Sequence, residues 1–382
     1  MPAKTAKPAR QSWHAKGLRV EEPTGPGGKD VKASGPASSG VLPTLSPGNW
    51  SEELAALPFP KTRQGPSRVL SPVVAVGSGK GGVGKTIVSS SLALALSETP
   101  LRPSVAIDVD LGGANLHTGL GIPRPCFALN RFVLDGASLQ ELALPSGIEG
   151  LQYVGGASDI VGTVQFSEAD RSRFLAELDG FTEGTLVLDL GAGSSSFCLD
   201  LFCRADQAVL VTTPEPTAVQ NAYGFLRSAL YRRIRRLVEN QVALREMLDD
   251  VMNHRRNDDT GSVDSLIRQV ARYNRATAEE ISELLGRLPV GVVVNMSSAE
   301  KASRVVERLF RVVRQYLGLR LEFLGSVAQD ETVHRAVCEW RPILLHFPKA
   351  QAARELKAIA ERVVSRLEKR APSARRSPPT DS

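Results

Sequence analysis

The chain has 382 residues, 42% hydrophobic and 5% aromatic, which suits a soluble α/β protein of one large domain or two ordinary ones and suits a β-sandwich poorly. Its net charge of +6 is uneven: residues 1–70 carry +5, residues 369–382 carry +3, and the stretch between them is at −2. There is no run of 18 or more apolar residues, and the basic, Pro-rich start lacks an apolar core, which argues against a transmembrane helix and against a secretory signal.

Residues 1–70 are rich in Pro, Gly, Ser and Lys without helical or strand periodicity, which predicts a disordered tail. Within it, Trp50-Ser51-Glu52-Glu53-Leu54 has the makings of a short helix with Ser51 as N-cap, a candidate docking peptide. Residues 71–368 then alternate strand and helix patterns. Strands are expected at Val73–Val76, Ser104–Asp108, Leu151–Val154, Thr185–Leu190, Gln207–Thr212, Val290–Asn295 and Leu321–Val327. Helices are expected at Ile87–Ser97, at Pro216 to about Arg236, and at Gln351–Leu367, the last with Leu356, Ile359, Ala360, Val363, Val364 and Leu367 on one face. This alternation predicts a doubly wound, mostly parallel sheet with helices on both faces. Residues 237–287 break it with helical patterns around a polar turn at Asn257–Gly261 and are expected to form a helical insertion. Residues 369–382 predict a second disordered, basic tail.

The strongest local signal is Gly79-Lys80-Gly81-Gly82-Val83-Gly84-Lys85-Thr86, a G-x-x-x-x-G-K-[ST] loop between a strand and a helix. Glycines let backbone N–H groups close around phosphates, and the following helix adds its positive dipole end. Lys85 is expected to reach the β- and γ-phosphates and Thr86 to hold Mg²⁺. Asp108-Val109-Asp110 ends the second strand, where alternation puts both carboxylates on one side; one can act through metal-bound water and the other can orient the attacking water. Leu186-Val187-Leu188-Asp189 is an apolar strand ending in an acid, which places Asp189 near Mg²⁺, and Gly191-Ala192-Gly193 follows it. No strong general base is visible, as suits a slow, switch-like hydrolase.

The loop with its extra lysine, Lys80, resembles the deviant Walker A loop of the MinD/ParA ATPases. The resemblance implies that Lys80 crosses a dimer interface to the partner's nucleotide, so that two ATP molecules lie between two subunits. The run Ile107 to Leu116 is similar to switch I of MinD and its flagellar relative FlhG, which implies that Asp110 positions the hydrolytic water. Gly191–Gly193 resembles switch II, with backbone N–H groups that sense the γ-phosphate. Thr212–Thr217, Val294-Asn295 and Val327–Val333 with Arg341-Pro342 extend the likeness, Asn295 at a position where an Asn reads adenine. The likeness covers about residues 72–368 without the insertion and is greatest to FlhG-like proteins. It departs in two places: the last residues lack the apolar anchors of a membrane helix and contain Pro372, Pro378 and Pro379, and the insertion is not a regular part of the family.

The expected protein is thus a cytoplasmic, Mg²⁺-dependent ATPase that forms an ATP-dependent homodimer, binds a protein partner and controls the placement or number of a structure such as flagella. The alternative is a ParA-like, DNA-associated partitioning ATPase. Its main support is the helix Phe225–Arg236, whose Arg227, Arg232, Arg233, Arg235 and Arg236 either face DNA or anionic lipid, at the nucleoid or the inner membrane, or form a solvated or acid-paired face. Cys126, Cys198, Cys203 and Cys338 are scattered, which fits a reducing cytosol and neither a disulfide framework, a zinc site nor an iron–sulfur carrier. The double-lysine loop argues against a small-molecule ligase or kinase.

Overall fold

A computed structural model describes residues 70–123, 128–156, 166–253 and 262–370. The tail expected over residues 1–70 (all but its last residue), the Trp50–Leu54 segment within it, Cys126, the turn at 257–261 and the end of the chain from residue 371 lie outside these residues. The strands are β1 (Val73–Ser78), β2 (Ser104–Val109), β3 (Leu144–Pro145), β4 (Leu151–Val154), β5 (Thr185–Ala192), β6 (Gln207–Thr212), β7 (Val290–Val294) and β8 (Leu321–Ser326). The helices, in chain order, are α1 (Lys85–Ser97), α2 (Leu116–Gly119), α3 (Ala128–Asp135), α4 (Leu139–Leu142), α5 (Glu168–Gly180), α6 (Ser196–Arg204) and α7 (Pro216–Leu237). They continue with α8 (Val242–Asn253), α9 (Val263–Tyr273), α10 (Arg275–Arg287), α11 (Ala299–Leu317), α12 (Glu331–Cys338), α13 (Ile343–His346) and α14 (Gln351–Arg370).

The eight strands form one sheet in the order β3-β4-β2-β5-β1-β6-β7-β8, parallel except at β3, which pairs antiparallel with β4. Every expected strand is present. The additional one, β3, is two residues long and contains a proline, too little to leave a pattern in sequence.

Alternation along the central strands builds a core on each face. On one face, Ala75, Val105, Ile107, Leu186, Leu188, Ala208 and Leu210 pack with α6, α7 and α11. On the other, Val74, Val76, Ala106, Val187, Val209 and Val211 pack with α1 and α14. Because both faces are covered, these strands read as continuous apolar runs, as parallel strands do. The closing helix α14 buries Leu356, Ile359, Ala360, Val363 and Leu367 as its spacing predicts, with Val364 partly buried beside them.

The insertion is helical. Ser262 caps α9 by accepting from the Ser265 N–H at 3.2 Å, and Asn274 caps α10 by accepting from Thr277 at 3.1 Å. Leu244, Leu248, Leu266, Val270, Ile281 and Leu285 are buried in the same core as α7 and β7, so the insertion is built into the sheet's flank.

Candidate functional site: the crevice between β1 and β5

Neighbouring strands β1 and β5 continue in opposite directions. From β1 the chain passes through α1 on one face toward β2; from β5 it passes through α6 on the other face to β6. The carboxyl ends of β1 and β5 therefore flank a topological switch point, where doubly wound sheets hold their ligands. The loop Gly79–Gly84 leaves β1 at this crevice, and Asp189 to Gly193 end β5 beside it.

The loop is set by its glycines. Gly84 is the N-cap of α1 at φ 85°, so the helix starts at Lys85, two residues earlier than its apolar pattern alone predicts. No side chain caps this end, which leaves its N–H groups for an anion. Gly79 is demanded by a close approach: a Cβ there would lie 2.0 Å from the backbone oxygen of Asn221 in α7. Gly79→Ala is accordingly expected to push the loop off α7, lowering stability by about 1–3 kcal/mol and weakening nucleotide binding. Thermal melting with and without nucleotide measures both effects.

The two lysines of the loop have different surroundings. Lys85 is only 7% exposed, and its charge acts on Asp189. Lys80 is exposed, with its carbonyl accepting from the Ser78 hydroxyl at 2.8 Å. The Glu215 carboxyl is held below its usual range by the Thr213 hydroxyl, and more weakly by the charge of Lys80.

The acids converge. Asp108 and Asp189 are register partners on β2 and β5, and both are buried. Burial, joined by the charge of Asp189, pushes the Asp108 carboxyl well above its usual range. Its oxygens accept backbone N–H groups of Asp110 at 3.1 Å and Leu116 at 2.9 Å, which ties down both ends of the loop between β2 and α2. Burial also raises Asp189, to about 6, against the opposing hydrogen bonds from Ser89 and Thr86 and the charge of Lys85. Asp110 is half-buried, accepts from Gly112 N–H at 3.2 Å and lies near enough to both buried acids to repel them.

Two buried carboxyls held toward their neutral forms fit a divalent cation, which would favour the ionised forms. Thr86 and Asp189 touch by a side-chain hydrogen bond. Among the described residues no three or more His, Cys, Asp or Glu side chains form a cation cage of their own. The touching Thr86 hydroxyl and Asp189 carboxyl suit Mg²⁺, which keeps water and phosphate oxygens around one or two carboxylates.

Gly193 donates its N–H to the Ser78 carbonyl at 3.1 Å, linking the end of β5 to the start of the phosphate loop. Asn295 is buried under the loop, its side-chain amide donating to the Val83 carbonyl at 2.9 Å. Sequence reasoning missed Ser89, which lies one turn into α1 and donates to Asp189 Oδ1 at 2.8 Å. The run Ser89-Ser90-Ser91 on a helix otherwise rich in Leu and Ala is the trace it leaves. Asp330 was also missed as an anchor: it accepts from Thr332 N–H at 2.8 Å and Ala352 N–H at 3.2 Å, pinning the loop after β8 to α14.

The arginines of α7 are engaged within the fold. Arg232 and Arg236 both pair with the buried Asp200 of α6, at 2.5 and 2.6 Å. Arg235 pairs with Asp249 of α8 at 3.3 Å, and Arg233 donates to the Cys203 carbonyl at 2.6 Å. Arg227 lies over the Tyr231 ring. Three of the five are therefore acid-paired, and the other two meet a carbonyl and a ring. Burial pushes the Cys203 thiol up to about 12.

A phosphate loop, a buried acid at the next strand end and a doubly wound sheet define a P-loop nucleotide-binding protein. The sequence of residues 74–343 matches the CobQ/CobB/MinD/ParA nucleotide binding domain, and the chain belongs to this family. It is 28% identical to the antiactivator FleN of Pseudomonas aeruginosa over 297 residues, covering 77% of this chain and 86% of that one. It is 26% identical to the flagellum site-determining protein YlxH of Helicobacter pylori, covering 77% and 82%. Among solved structures, the septum site-determining protein MinD of Pyrococcus horikoshii, complexed with Mg-ADP, shares the fold with a TM-score of 0.51 at 19% identity, covering 77% of this chain and 96% of that one. Among the described residues no helix is long and apolar enough to cross a membrane.

Proposed function

We propose that this protein is a slow, Mg²⁺-dependent ATPase switch that dimerises with ATP and, through a protein partner, controls the placement or number of a cellular structure, with flagella favoured by its likeness to FleN and YlxH. The observation that carries the reading is the separation of the loop's two lysines: Lys85 is buried beside Asp189, while Lys80 is exposed. A buried lysine serves the chain's own nucleotide, and an exposed one is free to meet the nucleotide of a second subunit.

In this reading the backbone N–H groups of Gly79, Gly81, Gly82, Val83 and Gly84 and the α1 N-terminus cradle the phosphates, and Lys85 neutralises the β- and γ-oxygens. Thr86 and Asp189, with Asp108 behind them, would hold Mg²⁺, which would supply positive charge at the phosphates. Asp110 orients the attacking water, and the Gly191–Gly193 loop, tied to the start of the phosphate loop through the Gly193 N–H and the Ser78 carbonyl, senses the γ-phosphate. Asn295 holds the loop through the Val83 carbonyl and reads the base. In-line attack by water releases phosphate, and the loops at Asp110 and Gly193 relax.

The test is Asp110→Ala. ATP affinity is expected to stay within about threefold of wild type, because Asp110 holds neither the phosphates nor the cation, while phosphate release falls by roughly 10²-fold or more. Equilibrium nucleotide binding and steady-state phosphate release read the two separately; unchanged turnover would remove Asp110 from the reaction.

A further inference from the structure

A cavity lies at the amino edge of the sheet, opposite the phosphate crevice. Helix α11 begins beyond the carboxyl end of β7 and returns the chain to the amino end of the parallel strand β8. Its last turns and residues 318–320 therefore stand at the edge remote from the phosphate loop. There a pocket of about 870 Å³ is lined by Phe310, Arg311 and Arg314 of α11, Arg320 and Leu321 at the entry to β8, and Asp264 of α9. The insertion completes it. Asp264 is in the first turn of α9, and its Oδ1 lies 3.6 Å from where a Cβ of Gly318, the left-handed cap of α11 at φ 64°, would stand.

The pocket joins apolar surface to unspent positive charge. Phe310 and Leu321 are only half-buried, and Phe323, two residues on along the same face of β8, is 39% exposed. β8 ends the sheet, so among the described residues no further strand covers this flank. Arg311 pairs with Glu307 at 2.5 Å, but Arg314 and Arg320, both exposed, meet no acid among the described residues. Against these guanidiniums the lining offers one carboxylate, Asp264. An occupant that brings carboxylates beside apolar side chains complements both features, since a guanidinium fork matches a carboxylate. The chain's own ends, at +5 and +3, carry the wrong charge. The site is also a concavity, which protein side chains fill and the flat headgroup layer of a bilayer does not.

We propose that this pocket docks an acidic segment of a partner protein. Adjoining Leu or Phe side chains of the segment pack against Phe310 and Leu321, and its flanking Asp or Glu residues pair with Arg314 and Arg320. The inference goes beyond the ATPase reading by giving the chemistry of a partner and the face it meets. Because the pocket and the phosphate loop lie at opposite edges of the sheet, docking is measured without nucleotide, and its failure leaves the reading of the crevice intact.

Fluorescence anisotropy on the full chain, with a fluorescein-labelled peptide Glu-Asp-Leu-Phe-Asp-Glu, tests this. Saturable binding is expected, weakened about tenfold or more in Arg314→Glu/Arg320→Glu, whose substitutions are on exposed side chains. A peptide with Lys in place of each acid should bind that variant more tightly than wild type, and a peptide with Gly-Gly in place of Leu-Phe should bind neither. No saturation up to about 1 mM peptide overturns the proposal, as does equal binding by the variant. Undiminished binding of the Gly-Gly peptide overturns it too, because bulk charge would then suffice without the pocket. So does displacement of the peptide by phosphatidylglycerol vesicles, which would assign the guanidiniums to a membrane.

Discussion

Lys85→Met is expected to lower ATP turnover by two to three orders of magnitude, roughly 3–4 kcal/mol of lost transition-state stabilisation. Methionine keeps most of the buried stem and removes only the charge, so packing around α1 is largely preserved. The lysine lies at the first position of α1, where its positive charge adds to that of the helix N-terminus. It is also a cation acting on Asp189, whose carboxyl burial has already raised to about 6. Without it Asp189 is pushed further toward its neutral form, and the pair with Thr86 becomes a poorer seat for Mg²⁺. Both nucleotide charge stabilisation and cation binding are therefore expected to fall together. Steady-state phosphate release at saturating Mg-ATP, with a melting curve to confirm the fold, is the measurement. Turnover within threefold of wild type would reduce the loop to a strand-to-helix turn.

Asp200→Ala is expected to have the largest effect on stability away from the nucleotide crevice. Its carboxylate is 6% exposed and is shared by Arg232 and Arg236, with Arg232 bonding both oxygens through Nε and a second guanidinium nitrogen at 2.5 and 2.7 Å. Breaking a fully buried pair by removing one partner costs about 3–5 kcal/mol because the remaining charge stays buried. Here the guanidiniums are 36% and 42% exposed and can turn partly to water, so roughly 2–3 kcal/mol is expected. The loss falls on the contact between α6 and α7, and α7 is the helix whose Asn221 backbone abuts Gly79. Weaker nucleotide binding should accompany the lower stability. Urea unfolding followed by far-UV circular dichroism reads the first, and nucleotide titration reads the second. A midpoint unchanged from wild type would mean that the pair contributes no more than a solvent-exposed one.

What sequence revealed, and what it hid, follows from how far apart the partners stand. The phosphate loop is eight consecutive residues between a strand and a helix, so backbone conformation and charge are specified locally. The apolar runs of β1, β2, β5 and β6 are equally local, because strands covered on both faces leave few polar interruptions. The crevice acids are visible as strand-end carboxylates, but the register that sets Asp108 against Asp189 belongs to the sheet. Ser89 meets Asp189 across 100 residues and Asn295 meets Val83 across 212, and neither pair has a sequence signature of its own. The arginines of α7 show the same limit. Their density is plain in sequence, yet the acid that holds two of them stands 32 residues earlier, on another helix.

ATP, and not ADP, is expected to join two copies of this chain through Lys80. Light scattering on Asp110→Ala, with each nucleotide and Mg²⁺ at tens of micromolar protein, tests it most directly. The expected result is a dimer with ATP, a monomer with ADP, and a monomer with both when Lys80→Ala is added. A protein that remains monomeric at saturating ATP would leave Lys80 no second nucleotide to meet and would contradict the switch mechanism, although the phosphate loop itself would stand.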